Sequence, residues 1–548
     1  QEPVRASATR PPRQAPTGAG DAARPVIASR VSMVKASGEF PFSSYREGQL
    51  EALEAVREAF AAGKRFVVLE APTGSGKSAI GVTLAREAGS AYVLTAQKVL
   101  QDQYLKDFKD LAVMKGRANY PCLVADTHAA AAPCLTGRWF PACDECPYFA
   151  AKDAAMAAKV TAMNYAYFLA ETNYAGAFGR RELLVLDEAH NTEAALMGFV
   201  QVGVGEGMLA RAGLARALPP DLGDEVAFDF VDALLPDMLR RLRTIDQELK
   251  GDATDDAAVQ QLRVRQWLES SHARLRFLLE SHASGEVDWV IERGRDAHGA
   301  TLTFKPVEVA AFAEDMVFSH AERVLFMSAT ILDVGTFLRS LGVAEDDAVV
   351  VRVPSTFPPS RRPLVLRPSA RLTRRHQERE LPLLAAAVSE LARDHAGDKG
   401  VVHAHSYMIA TYLAKHMVAS ERWRVVTHHD AAGREAALAK HLSSPEPTIL
   451  ITPSMTEGID LADDLARWQV LCKVPYPFLG DRQVAARMER DRDWYDWRTC
   501  LTVVQAYGRS VRSAEDHAVT YLLDADFPTF LRRQRHRLPE WFLEAVTE

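Results

Sequence analysis

No apolar run in this sequence approaches the ~18 residues that a membrane span requires. Its longest apolar stretches are short, such as Phe66–Leu69 and Leu183–Leu186, and read as buried strands. Positive charge is not in excess either. There are 65 Lys and Arg against 72 Asp and Glu, a net charge of -7. Any polyanionic partner must therefore be met through local grooves and not by a global field. Cysteine is scarce: Cys122, Cys134, Cys143, Cys146, Cys472 and Cys500 are all there are. So few thiols in so long a chain exclude a secreted disulfide scaffold, and four clustered between 122 and 146 favour a metal site. A charged start, apolar core and small-residue cleavage site are also missing, so no secretory leader is expected and the chain reads as intracellular.

What is present is length for three or four domains. Residues 1–38 are rich in Ala, Pro, Arg and Gly without apolar period, and disorder is expected there. Met33 is a candidate translation start. From Phe40 onward a helix pattern over Tyr45–Ala59 leads into alternating strands and helices, which predicts a parallel sheet. The fold class expected is α/β: two parallel-sheet units with two insertions. The first unit is assigned to 39–114, 151–194 and 305–345. A proline-rich cysteine segment at 115–150 interrupts it, and a Leu- and Ala-rich helical insertion covers 195–304, with a strand-like tail at Trp289–Ile291 and Leu302–Phe304. The second unit is assigned to 346–548, with strands expected at Gly400–Ala404, Arg424–Thr427, Thr448–Ile451, Gln469–Lys473 and Ala518–Leu523.

Two motifs carry chemistry. Glu70-Ala-Pro-Thr-Gly-Ser-Gly-Lys-Ser78 lies between a predicted strand and a predicted helix. Backbone N–H groups of Thr73, Gly74, Ser75 and Gly76 can curl around phosphate oxygens at a helix amino end. Lys77 neutralises the β and γ phosphates in this reading, and the Ser78 hydroxyl holds Mg²⁺. Further on, Leu183-Leu-Val-Leu delivers Asp187 and Glu188 to the carboxyl end of a buried strand, where ligands sit in open α/β sheets. Asp187 then binds Mg²⁺, and Glu188 orients and deprotonates water. Together these predict nucleotide hydrolysis.

Asp187-Glu-Ala-His190, Met327-Ser-Ala-Thr330 and Gln505-Ala-Tyr-Gly-Arg-Ser-Val-Arg512 occur in the order and at the separations of superfamily 2 helicases. Finer matches resemble the XPD/DinG group of iron–sulfur DNA helicases over roughly residues 40–545. They are Tyr45–Gln49, Leu94–Tyr104, His403–Tyr407, Thr456–Asp460, Val474–Pro477 and Leu538–Phe542. The resemblance implies two RecA-like motor units clamping ATP, with Gln49 reading adenine and Gly458 and Asp460 joining the nucleotide site. Gln505, Arg509 and Arg512 are expected on one helix face at i, i+4 and i+7. From the opposite unit, the two arginines would stabilise transition-state charge. His190, Ser328, Ala329 and Thr330 are implied to couple hydrolysis to domain movement, and Lys98, Gln101, Ser406 and Thr456 to contact DNA. Histidines at 403 and 405 and Thr456 depart from the family's usual residues.

The cysteine pattern is Cys-x11-Cys-x8-Cys-x2-Cys. Four thiolates suit either Zn²⁺ or a [4Fe–4S] cluster. The segment's position and its opening Gly116-Arg-Ala-Asn-Tyr-Pro-Cys122 resemble the family's cluster domain and imply the cluster on Cys122, Cys134, Cys143 and Cys146. Neighbouring Arg138, Trp139, Phe140 and Tyr148 are either a strand-separating wedge or packing for that small domain. Cys472 and Cys500 read as buried structural thiols. The resulting expectation is an ATP- and Mg²⁺-dependent helicase on single-stranded and forked DNA, moving 5′→3′ as the resemblance implies. It would be cytoplasmic and monomeric, with no membrane partner. A DNA-stimulated ATPase that remodels complexes without unwinding, and an RNA helicase, are the alternatives.

Overall fold

The computed structural model describes residues 38–547 except 97, 137–138, 215, 220–222, 250–255, 356, 374, 431–432, 454–460, 462, 510 and 512–514. Thr456, Gly458, Asp460, Arg512, Arg138 and the stretch expected to be disordered lie outside the described residues, as does the side chain of Lys98.

In chain order the strands are β1 (Phe66–Glu70), β2 (Ala91–Thr95), β3 (Ala112–Met114), β4 (Val160–Asn164), β5 (Arg181–Asp187), β6 (Val202–Gly205), β7 (Trp289–Asp296), β8 (Gly299–Pro306), β9 (Ala321–Ser328) and β10 (Ala348–Arg352). They continue with β11 (Leu364–Ala370), β12 (Gly400–His403), β13 (Val425–Thr427), β14 (Ile449–Thr452), β15 (Trp468–Leu471), β16 (Val519–Asp524) and β17 (Val546–Thr547). One seven-stranded sheet has the order β10-β1-β9-β5-β2-β4-β3, and a second the order β13-β14-β12-β15-β16-β11-β17. Their pairings are parallel throughout. The cause is visible in β1 and β5. Phe66-Val-Val-Leu69 and Leu183-Leu-Val-Leu186 are buried on both faces, as strands covered by helices on either side must be.

The expected boundaries shift in one place. β10 pairs with β1, so the first sheet runs on to Arg352 and does not stop at 345. The strand-like tail of the helical insertion belongs to an antiparallel sheet, β6-β8-β7. It covers the long helices Asp224–Glu248 and Asp256–Ser284, whose Phe228, Leu234, Leu268 and Leu275 share a core with Phe304. The strand-like segments 289–291 and 302–304 fall in β7 and β8, whereas the four-residue β6 was not expected.

The helix Arg492–Tyr507 crosses between lobes. Trp494, Trp497 and Leu501 lie in the first lobe's core, whereas Cys500, Val503, Val504 and Tyr507 lie in the second's. Trp494 Nε1 donates to Glu193 Oε1 at 2.9 Å, and Trp497 Nε1 donates to the Ile331 carbonyl at 2.7 Å. Among the described residues no helix is long and apolar enough to cross a membrane.

Candidate functional site

Strand order explains the meeting of motifs distant in sequence. β1, β9 and β5 are neighbours and parallel, so their carboxyl ends deliver three segments side by side. These are the phosphate-binding loop, Ser328-Ala329-Thr330 and Asp187-Glu188. The helix Lys77–Ala88 starts directly from the loop. Gly74 and Gly76 sit at φ 83 and 78, in the left-handed region that glycine tolerates without strain. At Gly76 space also demands glycine, since a Cβ would stand 2.2 Å from Gln49 Nε2.

That contact gives Gln49 a structural role. Its Oε1 accepts from Arg46 N at 2.7 Å, and its Nε2 donates to the Ser75 carbonyl at 2.9 Å and the Gly76 carbonyl at 3.2 Å. Both ends of the buried amide are hydrogen-bonded to backbone, so Gln49 shapes the loop.

The acidic pair is held tightly. Asp187 Oδ2 accepts from the buried Tyr104 hydroxyl at 2.9 Å, and Oδ1 accepts from Glu188 N at 3.0 Å. The Ser78 side chain acts on the same phenol, so the two oxygen donors expected to hold Mg²⁺ both lie beside Tyr104. Glu188 takes φ 50 and turns towards Lys77, whose Nζ lies 3.1 Å from Glu188 Oε1. Burial raises Asp187 above the ordinary carboxylate range, with the Glu188 charge adding to the push against Lys77. Burial acts on Glu188 as well, but Lys77, His190 and Arg509 outweigh it and hold that carboxyl low. His190 Nδ1 is 2.8 Å from Ser328 Oγ, and Ser328 Oγ donates to the Thr330 carbonyl at 3.0 Å. The segment after β5 is thereby connected to the segment after β9.

These groups face a cleft of about 530 Å³ between the two large sheets. Thr73, Gly74, Gly76, Lys77 and Ser78 line it from one side, with Asp187, Glu188, His190, Ala329 and Thr330. Gln505 and Arg509 line it from the second lobe, and the buried Gln505 Nε2 has no hydrogen-bond partner among the described residues. Ser75 turns its hydroxyl away to the Pro72 carbonyl at 2.6 Å. The expected helix face does not run from Gln505 to Arg509, and Arg512 lies outside the described residues. The helix ends at Tyr507 with Gly508 as its cap, so Arg509 approaches from the loop beyond. Arg46, Ser355, Phe357, Arg362 and Trp541 complete the wall, and sequence reasoning missed them.

Two residues expected on the DNA path have structural roles. Gln101 is fully buried and donates to the Met114 carbonyl at 3.0 Å, which leaves it no outward face. Ser406 caps the helix Tyr407–His416, its Oγ accepting from Ile409 N at 3.2 Å.

Cys122, Cys134, Cys143 and Cys146 line a second, smaller cavity with Arg117, Tyr148 and Phe149. Burial raises the Cys134 thiol, the neighbouring Cys143 adds to this, and Arg117 opposes it. Among the described residues no three His, Cys, Asp or Glu side chains converge as a single metal ion would need. Four thiols around one cavity are donors of the kind that a zinc ion or an iron–sulfur cluster takes. Tyr148 is completely buried and packs this region, whereas Trp139 is 58% exposed. Cys472 and Cys500 are buried, which pushes both thiols up.

Comparison with known proteins agrees with this architecture. Residues 390–545 match the family described as helicase C-terminal domain, and 43–204 match that described as type III restriction enzyme, res subunit. The chain is 24% identical to the ATP-dependent DNA helicase YoaA of Escherichia coli, over 87% of this chain and 91% of that protein. It is 28% identical to the ATP-dependent DNA helicase CHL1 of Candida albicans over 111 residues, 17% of this chain and 13% of the relative. The fold superimposes on a solved XPD helicase with TM-score 0.60 at 16% identity, covering 89% of this chain and 97% of that one. The chain is thus XPD/DinG-like in fold and similar in sequence to helicases of superfamily 2. Xpd4 of S. tokodaii has the same fold, with TM-score 0.56 at 16% identity over 91% of this chain and 99% of that one. The RecA-like pair of parallel sheets and the presence of inserted domains are thus properties of this XPD/DinG-like chain.

Proposed function

We propose that the chain is an ATP-dependent DNA helicase that hydrolyses ATP between its two lobes and tracks single-stranded DNA 5′→3′, opening duplex ahead of it. One observation carries this reading: Lys77, Asp187 and Glu188 of one lobe share a cleft with Arg509 of the other. A triphosphate bound there would draw Lys77 from Glu188. Freed of its cation, Glu188 would become a better base for the attacking water. Asp187 and Ser78, oxygen donors beside Tyr104, suit Mg²⁺, which supplies neutralising charge on the phosphates when bound. Arg509 would add charge from the second lobe as negative charge develops, so closure of the cleft and hydrolysis go together. His190 and Ser328 would pass the change to the first lobe's other strands, and Arg512, Gly458 and Asp460 would complete the site from the second.

The names of the YoaA and CHL1 relatives, both ATP-dependent DNA helicases, support DNA as the track. The four-cysteine cavity supports a [4Fe–4S] cluster held by Cys122, Cys134, Cys143 and Cys146. Lys77→Ala should lower DNA-stimulated ATP hydrolysis by ~10²–10³-fold, the usual cost of one transition-state donor, while leaving most single-strand binding. Normal turnover in that variant would refute the site assignment. Strand displacement on substrates with 5′ or 3′ tails tests unwinding and polarity. Hydrolysis without displacement would leave the remodelling ATPase as the function.

A further inference from the structure

Part of the cleft wall is not of a kind that phosphate needs. Arg362 is only 7% exposed and lines the cleft, and its Nε has no hydrogen-bond partner among the described residues. The rest of the guanidinium is anchored. Nη2 donates to the Phe357 carbonyl at 2.8 Å and lies 3.3 Å from Ser355 Oγ. Two aromatic rings bracket it: Cζ is 4.8 Å from the centre of Trp541 and 5.9 Å from that of Phe357. Behind it the Tyr507 hydroxyl donates to the Arg362 carbonyl at 2.6 Å. A buried unsatisfied donor calls for an acceptor, and a planar cation between rings offers a flat, partly apolar surface. The Gln49 amide is meanwhile spent on Arg46, Ser75 and Gly76.

We propose that Arg362, Trp541 and Phe357 bind the nucleoside moiety of the nucleotide, Arg362 Nε donating to a base or ribose acceptor while the aromatic wall packs on the base. This deepens the ATPase reading and rests on it. The triphosphate is held by the loop and Lys77; the nucleoside is held by a segment joining the lobes and by the carboxyl-terminal helix Glu540–Leu543. The Leu538–Phe542 segment thereby acquires a function beyond packing, and nucleotide contact extends to a third part of the chain.

The test compares two competitors of ATP hydrolysis on the full chain: ADP, and inorganic tripolyphosphate, which lacks a nucleoside. Arg362→Gln and Trp541→Ala should each weaken ADP inhibition about tenfold, the scale of one lost hydrogen bond or stacking contact. Tripolyphosphate inhibition should stay at the wild-type level, and Trp541→Phe should restore ADP. The half-buried Trp541 keeps the test open if Arg362→Gln fails to fold, which thermal melting reports. Unchanged ADP inhibition in both variants, with an active wild type, overturns this proposal alone. Equal loss of both competitors also overturns it, by placing the residues on the phosphates. A wild-type chain that neither hydrolyses ATP nor binds ADP overturns the ATPase reading as well.

Discussion

Tyr104 is the residue at which the site's chemistry departs most from what a motif shows. A tyrosine in Gln101-Asp-Gln-Tyr104 reads as part of an outward helix, yet its hydroxyl is buried between Asp187 and Ser78. Tyr104→Phe removes a hydrogen bond that lowers Asp187, so the carboxyl should rise further and be protonated at higher pH. The acid limb of ATP hydrolysis should therefore move to higher pH, and half-saturation should need more Mg²⁺, at a cost of ~1–3 kcal/mol for the unpaired carboxylate. A pH profile and a Mg²⁺ titration check this; an unmoved acid limb would show Tyr104 to be mere packing. His403 is buried on β12, and burial, with Arg509 adding to it, pushes its imidazolium down to about 4 although Gln469 opposes. Its folded value lies below the ~6.5 of an unfolded histidine, so the unfolded chain takes the proton first. The stability it contributes is complete above pH ~6.5 and is lost at up to ~1.4 kcal/mol per pH unit as pH falls towards the folded value. Denaturant melts between pH 7 and 5 should show a shallower slope for His403→Gln.

At the scale of elements, the helix Arg492–Tyr507 decides how the lobes meet. Its first half is rooted in the first lobe through Trp494 and Trp497, and its end delivers Gln505 and then Arg509 to the cleft. A rigid rod of 16 residues joins the segment after Asp187-Glu188 to the arginine of the opposite lobe. Glu193 is buried under the Trp494 indole, and burial raises its carboxyl despite Arg498. Trp497→Ala should cost ~3–5 kcal/mol of stability, the usual penalty for a buried aromatic. Trp494→Phe keeps the ring and loses only the N–H. We expect it to slow ATP turnover more than it weakens nucleotide binding, because the lobe contact is altered and the phosphate loop is not. Steady-state kinetics separate the two: a raised KM with unchanged kcat would argue against this coupling role.

At the scale of the molecule, two inserted modules grow out of the first sheet. The cysteine segment lies between β3 and β4, and the long-helix module between β5 and β9. The second module is pinned to the second lobe at its base: Lys305 Nζ lies 2.7 Å from Asp481 Oδ2, and Gln483 Nε2 donates to the Val307 carbonyl at 2.7 Å. Movement of the lobes would thus be felt by the insertion. Cys143→Ala should abolish iron binding and its visible absorption in anaerobically prepared protein. Basal ATP hydrolysis should stay within a few-fold, since the cavity is separate from the cleft. Full iron content in that variant would remove Cys143 from the proposed ligand set.

The grouping of the candidate residues was legible before any fold was known. A Gly-rich turn ahead of a helix, an acidic pair after four apolar residues and four clustered cysteines each have a meaning set by their nearest neighbours in the chain. The parallel sheets were legible for the same reason, because fully buried strands are written as uninterrupted apolar runs. Contacts over long separations were not. Gln49 turns inward because Gly76 leaves room for its amide, Tyr104 reaches Asp187 across 83 residues, and Arg362 meets Trp541 only when the chain's end returns to the cleft. Side-chain direction is settled by whichever partner packing brings near, and only the tertiary structure brings those partners together.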